Sequence, residues 1–171
     1  MGNEKLDLQM TTHSYSVDID ATLEDVWAFH EDIERALPVM SPPEADARVE
    51  SIEGYPPAGV GTAVTLTVKG PVGRMRWQAR YAEHRPPHAD GAGRVAWFVD
   101  EQVKGPFKQW RHRHEMRELP GGKCRLTETV WYDMPGGLVG RTLGGGLVRR
   151  QIEGMFEHRK TAVKEAVEAG R

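Results

Sequence analysis

At 171 residues the chain has the length of one domain, long enough to bury a core without disulfide or metal staples. A formal charge of −2 and a pI near 6.4 exclude the broad cationic footprint that a phosphate backbone requires, so no nucleic-acid partner is expected. Cys124 is the only cysteine, which rules out a disulfide within the chain and fits a reducing, cytoplasmic setting.

The whole of 1–171 is read as a single domain, with residues 1–10 as a flexible N-terminal lead. That lead has no apolar core of signal-peptide length, and no segment approaches the ~20 apolar residues of a membrane span, so no membrane insertion is expected. Residues 12–20 alternate, with His13, Tyr15, Val17 and Ile19 on one face, and read as a strand. Thr22 followed by Asp25 forms a capping-box pattern that opens a short helix through Trp27 and Phe29. A second short helical piece is expected before Pro38, and Ser41-Pro42-Pro43 then breaks the chain. Residues 47–52 read as a strand, 54–61 as turns, and 62–69 and 73–83 as two long strands joined at Gly70-Pro71-Val72. In the second of these Met75, Trp77, Ala79 and Tyr81 form the apolar row. Residues 84–93 are polar and rich in Pro and Gly, and are expected to be a loop.

Residues 105–119 are the most informative. The odd positions Arg111, Arg113, Glu115 and Arg117 are charged, while the even positions are Trp110, His112, His114 and Met116. Successive side chains of a strand point to opposite faces, so a charged row in water turns an indole, two imidazoles and a thioether inward. Two inward imidazoles indicate a polar-lined cavity more than a plain oily core. The turn at Pro120, Gly121 and Gly122 then reverses the chain. Centred near Gly121, it pairs residues whose numbers sum to about 242, opposing His114 to Glu128, His112 to Val130, and Trp110 to Tyr132. The same exercise through Lys104-Gly105-Pro106 places Asp100 beside Trp110 and Phe98 beside His112.

Beyond Pro135 the period changes to that of a helix. Val148, Ile152, Met155, Ala162 and Ala166 share one stripe, with Phe156, Val163 and Val167 beside it. The run 136–146 holds six glycines among eleven residues but neither a phosphate-loop lysine nor a dinucleotide fingerprint, and is expected to be a flexible or kinked helix entrance. This order predicts an α+β layer structure in which a curved antiparallel sheet of about seven strands grips the last helix and leaves a cavity between them. The short helices and the loops near Pro56-Pro57, Pro86-Pro87 and Gly136 are candidate rims of its mouth.

The pieces Val26-Trp27-Ala28-Phe29-His30, Pro42-Pro43, residues 98–102, Gly105-Pro106-Phe107, Trp110-x-His112-x-His114, Tyr132-x-x-Pro135 and Phe156-Glu157-His158-Arg159 resemble the SRPBCC superfamily, the START-like or Bet v 1-like helix-grip proteins. The likeness is greatest to bacterial members described as polyketide cyclase/dehydrase. The resemblance implies the helix-grip fold, with two short helices after strand 1, and a deep apolar cavity that takes a hydrophobic small molecule. It carries no catalytic motif onto particular positions, because fold does not fix function.

Three chemistries remain open. In the first, binding, transport or sequestration of a lipid, polyketide or aromatic metabolite, the ligand contacts are Trp77, Tyr81, Phe98, Asp100, Trp110, His112, His114, Glu128, Val130, Tyr132, Ile152, Met155 and Phe156. In the second, a cyclase or dehydratase, His112, His114, Glu128 and Asp100 supply acid and base. The plain alternative for the two histidines is burial in hydrogen bonds. The third is a metal-dependent His-x-His site in which Glu118 or Glu128 adds a carboxylate. It lacks the second histidine motif of a cupin, so neither a metal nor any other cofactor is assigned. Of the five tryptophans only Trp77 and Trp110 fall on rows read as interior. His158 is placed at the surface or rim, and Arg159 in a surface ion pair or, on the other reading, at the mouth.

Overall fold

In the computed structural model, which describes residues 10–70, 73–135 and 137–170, strand β1 (Thr11–Ile19) leads into helices α1 (Leu23–Glu31) and α2 (Ile33–Met40) and a 3-10 turn at Pro43–Ala45. Strands β2 (Arg48–Glu53), β3 (Ala63–Gly70), β4 (Gly73–Ala89), β5 (Arg94–Lys104), β6 (Gln109–Leu119) and β7 (Lys123–Asp133) follow, and helix α3 (Gly137–Glu168) closes the chain. The strands form one antiparallel sheet in the order β1-β7-β6-β5-β4-β3-β2. The expected flexible lead lies outside the described residues except for Met10, as do Pro71, Val72 and Gly136. The described part of the glycine run is already helical from Gly137.

Local chemistry explains the elements. The Thr22 hydroxyl accepts from the Asp25 amide while the Asp25 carboxylate accepts from the Thr22 amide, the reciprocal capping box that fixes the start of α1. Pro38 sits inside α2 instead of ending it, and the helix runs on until the Ser41 amide bonds Leu37. On β6 the even row Trp110, His112, His114 and Met116 is buried, and the odd row meets water. Outside, Arg111 pairs with Glu83 and Glu101, Arg113 with Glu115, and Arg117 with Asp90. The arginines of this row are therefore each matched by a carboxylate.

The β6–β7 register has His114 opposite Glu128, His112 opposite Val130 and Trp110 opposite Tyr132. Gly121 (φ +81°) and Gly122 (φ +73°) supply the left-handed backbone this turn needs. The β5–β6 register differs from expectation by two residues: Asp100 faces His112, and Phe98 faces His114. The turn is longer than Lys104-Gly105-Pro106, because the Gln102 side chain bonds both the amide and the carbonyl of Phe107 and so closes a wider loop. The loop expected over 84–93 is also corrected. Strand β4 continues to Ala89, and a register break between Arg85 and His88 takes Pro86 and Pro87 out of the ladder, where their missing amides do no harm.

Helix α3 lies across the sheet through two apolar clusters. Ile152 and Phe156 pack on Trp110, Val130 and Tyr132, whereas Val163 and Val167 join the larger core around Leu23, Val26, Trp27 and Leu126. Each such buried side chain contributes about 1.5–3 kcal/mol. Trp27 belongs to this core, edge-on to Phe98 and tilted on His84, although only Trp77 and Trp110 were expected inside.

Candidate functional site

A cavity of about 960 Å³ opens between the inner faces of β3 to β6 on one side and α2 and α3 on the other. Its walls are mainly apolar, including Leu66, Met75, Trp77, Ile152 and Met155, and exposed residues such as Pro43, Glu44, Gln151 and Gly154 stand at its mouth. His30, Asp100, His112, His114 and Arg159 line its deep end. The cavity is displaced toward β3–β5 because α3 sits directly on the other half of the sheet, where Phe156 meets Tyr15 at 4.5 Å between ring centroids. A smaller hollow of about 650 Å³, lined by Leu37, Ile52, Tyr55 and Pro56 among others, adjoins it and carries no imidazole.

The deep end is a network of buried ionisable groups. His114 Nε2 lies 3.3 Å from Asp100 Oδ2 in a hydrogen bond, and His114 Nδ1 lies 2.8 Å from Glu128 Oε1 without hydrogen-bond alignment. His112 is 3.7 Å from Asp100 through Nδ1 and 3.9 Å from Glu128 through Nε2. Glu128 has no exposed surface; it accepts from the Tyr15 hydroxyl and, at 3.3 Å, from Arg159 Nη1. Arg159 Nε also donates to the Met40 carbonyl, and His158 is held by the Val39 carbonyl at 3.0 Å. His30 enters from α1, with Nδ1 2.8 Å from the Val26 carbonyl and its ring 5.9 Å from that of His114.

Burial sets the protonation states, since an enclosed site disfavours the charged form of each group. It pushes Asp100 up to about 7, against the opposing pull of Arg159, and raises Glu128 in the same way. It lowers His30 to about 3 and holds His112 and His114 well below the ordinary imidazole range. Near neutrality the deep end therefore presents three uncharged imidazoles, a Glu128 carboxyl raised by burial and held by Arg159, and an Asp100 carboxyl that titrates close to pH 7.

The sequence-derived residues separate into two groups. Trp77, Tyr81, Phe98, Asp100, Trp110, His112, His114, Ile152 and Met155 border the cavity. Glu128, Val130, Tyr132 and Phe156 lie beneath it, in the part of the sheet that α3 covers, so they do not line it as expected. Glu118 stays at the far end of β6, 42% exposed and 4.0 Å from Arg94, away from the histidines. Arg159 is not in a surface pair: it is 12% exposed and serves the fully buried Glu128. Pro86-Pro87 is no part of the mouth, and Pro56 borders the smaller hollow. His30 was not singled out from the sequence, although its spacing of four from Val26 and three from Trp27 marks the buried face of α1.

A curved sheet gripping one long helix around such a cavity defines a START-like, helix-grip protein. Residues 19–156 match the sequence profile of the family described as polyketide cyclase / dehydrase and lipid transport, and the chain belongs to that family. A search of curated protein sequences finds no match. Among solved structures, a START superfamily protein from Mycobacterium smegmatis superposes with a TM-score of 0.65 at 16% identity over 94% of this chain and 99% of that one. The Zhui aromatase/cyclase from a Streptomyces species gives 0.59 at 18% identity, covering 94% and 93%. Norcoclaurine synthase from Thalictrum flavum, solved with dopamine and hydroxybenzaldehyde, gives 0.60 at 14% identity, covering 100% and 95%. At these identities the structural likeness concerns the fold. Family membership brings hydrophobic-ligand binding or cyclase chemistry, without choosing between them. Among the described residues no helix is long and apolar enough to cross a membrane.

Proposed function

We propose that this protein takes up a largely apolar small molecule with one polar end, of lipid, polyketide or aromatic type, and carries or sequesters it in a cytoplasmic setting. The apolar body of the guest lies along Trp77, Met75 and Ile152, and its polar end meets Asp100, His112 and His114. The one-sided lining of the cavity carries this reading: mainly apolar walls end in a cluster of ionisable groups, the pattern by which small-molecule sites combine affinity with orientation. Its volume is at the upper end of the ~300–1,000 Å³ common for such sites.

A dansylated fatty acid titrated into purified protein tests the proposal by its fluorescence. Saturable uptake is expected. Ala79→Phe, which fills the cavity from the inward row of β4, is expected to weaken uptake at least tenfold while leaving cooperative unfolding intact. Equal uptake by wild type and variant would place the probe elsewhere and contradict the reading.

Cyclase or dehydratase activity is the second reading, favoured by one observation. Asp100 borders the cavity, is pushed up to about 7 and bonds His114, the tuning required of a proton donor or acceptor working near neutral pH. Asp100→Asn then abolishes turnover of a polyketide-like substrate while probe uptake, even if weaker, remains saturable. A carrier shows no turnover to lose.

A further inference from the structure

Uptake of an apolar guest leaves three imidazole nitrogens at the deep end of the cavity unexplained, one each on His30, His112 and His114. His30 Nε2 and His114 Nδ1 have no hydrogen-bond partner among the described residues, although His30 is 2% and His114 3% exposed. An unpartnered buried polar atom is costly and rare. In the rings of His30 and His114 the opposite nitrogen is engaged. His30 Nδ1 can only donate to the Val26 carbonyl, so Nε2 carries the lone pair. His114 Nε2 bonds the Asp100 carboxyl, and when it donates to the ionised form, Nδ1 is the lone-pair atom. With Glu128 ionised, that lone pair faces its Oε1 at 2.8 Å, acceptor against acceptor, an arrangement that a proton or a metal ion held by both relieves.

Donor atoms of His30, His114 and Glu128 all lie within 4.8 Å of one another. A first-row ion holds imidazole nitrogen and carboxylate oxygen at about 2.0–2.2 Å, so these donors close on one with a contraction of under ~1 Å. We propose that His30, His114 and Glu128 form a binding site for one divalent first-row transition-metal ion, a two-histidine, one-carboxylate set at the deep end of the cavity. The outer partners are those such ligands use: a backbone carbonyl behind His30, a carboxyl behind His114, and the Tyr15 hydroxyl on the second oxygen of Glu128. Burial keeps both imidazoles neutral, the form that ligates. His112 Nε2, also unpartnered and 3.9 Å from Glu128 Oε2, is a further donor within reach. Arg159 Nη1, 3.3 Å from Glu128 Oε1, competes with the ion for that oxygen. The set departs from the absence of a metal assigned on sequence, because its second histidine comes from α1 and its carboxylate is not Glu118. It holds whether or not the cavity also takes an apolar guest.

The test is a titration of chelator-stripped protein, purified without an affinity tag, with Co(II), followed by visible d–d absorption. Saturation at one ion per chain is expected, with the band lost on adding Zn(II). His30→Gln is expected to weaken binding at least a hundredfold, and Tyr15→Phe, which leaves Glu128 less firmly oriented, about tenfold. Arg159→Met is expected to tighten it. Circular dichroism and cooperative unfolding establish that each variant is folded, and the wild-type titration stands by itself if one is not. A wild-type protein that is folded yet shows no saturable absorption overturns the proposal, as does a folded His30→Gln variant that titrates like wild type.

Discussion

Glu128 has no exposed surface, and its neighbours are the Tyr15 hydroxyl, the Arg159 guanidinium and two imidazoles. Replacing it with Ala strands Arg159 at the cavity floor, and loss of one member of a buried pair costs about 3–5 kcal/mol. Urea unfolding of Glu128→Ala is expected to show a loss of that size; a change under ~1 kcal/mol would mean that Arg159 finds other partners. Cys124, fully buried on β7, has its thiol pushed up to about 12 by burial. It is expected to resist iodoacetamide at pH 8 in the folded protein and to react once urea unfolds it, because the thiolate is the reactive form. Rapid labelling of the native chain would contradict its placement. At this scale the sequence reveals which residues of β6 and β7 face inward, since alternation of charge is a local property. His30 and Arg159 are different. Each is brought to Glu128 by packing between elements far apart in the chain, which no local period encodes.

The two hairpins show why one register is legible and the other is not. Gly121 and Gly122 leave a short turn only one practical centre, and every β6–β7 pair follows from it. Between β5 and β6 the reversal depends on a side chain, Gln102 holding Phe107, and a turn-residue rule misplaces the ladder by two. Because two is also the strand period, the error leaves every side chain on its correct face, which is why the proposed interior survives it. Pro86 and Pro87 mislead for a related reason, since a bulged strand accommodates prolines that a regular one refuses. Nothing lies within 4 Å of a Cβ built at Gly121 or Gly122, so Gly121→Ala and Gly122→Ala test backbone strain alone. Each is expected to cost about 1–2 kcal/mol by chemical denaturation without altering probe uptake. No loss of stability would show that the turn tolerates another conformation.

For the molecule as a whole, the α+β order, the seven strands and the long final helix follow from periodicity, while the position of the cavity does not. It lies toward β3–β5 because α3 settles on β1 and β7, where Phe156 and Ile152 pack with Tyr15, Val130 and Tyr132. The buried ionisable cluster gives the folded chain a pH signature. His30 takes its proton at about 3 when folded and near 6.5 when unfolded, so between these values the unfolded chain binds more protons and stability is lost as pH falls. His112 and His114, also lowered, act in the same sense. Asp100, raised to about 7, and Glu128, also raised, act in the opposite sense, because there the folded chain holds the extra protons. Three imidazoles act in the first sense and two carboxyls in the second, so the imidazoles set the direction as pH falls through their ordinary range. Stripped protein is therefore expected to lose stability as pH falls below 6.5, read by urea unfolding at each pH. Stability that is flat or rising on acidification would contradict this. The account rests above all on the cavity being a container, and native mass spectrometry of the protein purified from its own host tests that most directly. The predicted result is a folded species carrying one apolar small molecule per chain, released on denaturation. A bare polypeptide mass, together with failure of the same preparation to take up the dansylated fatty acid, would contradict it.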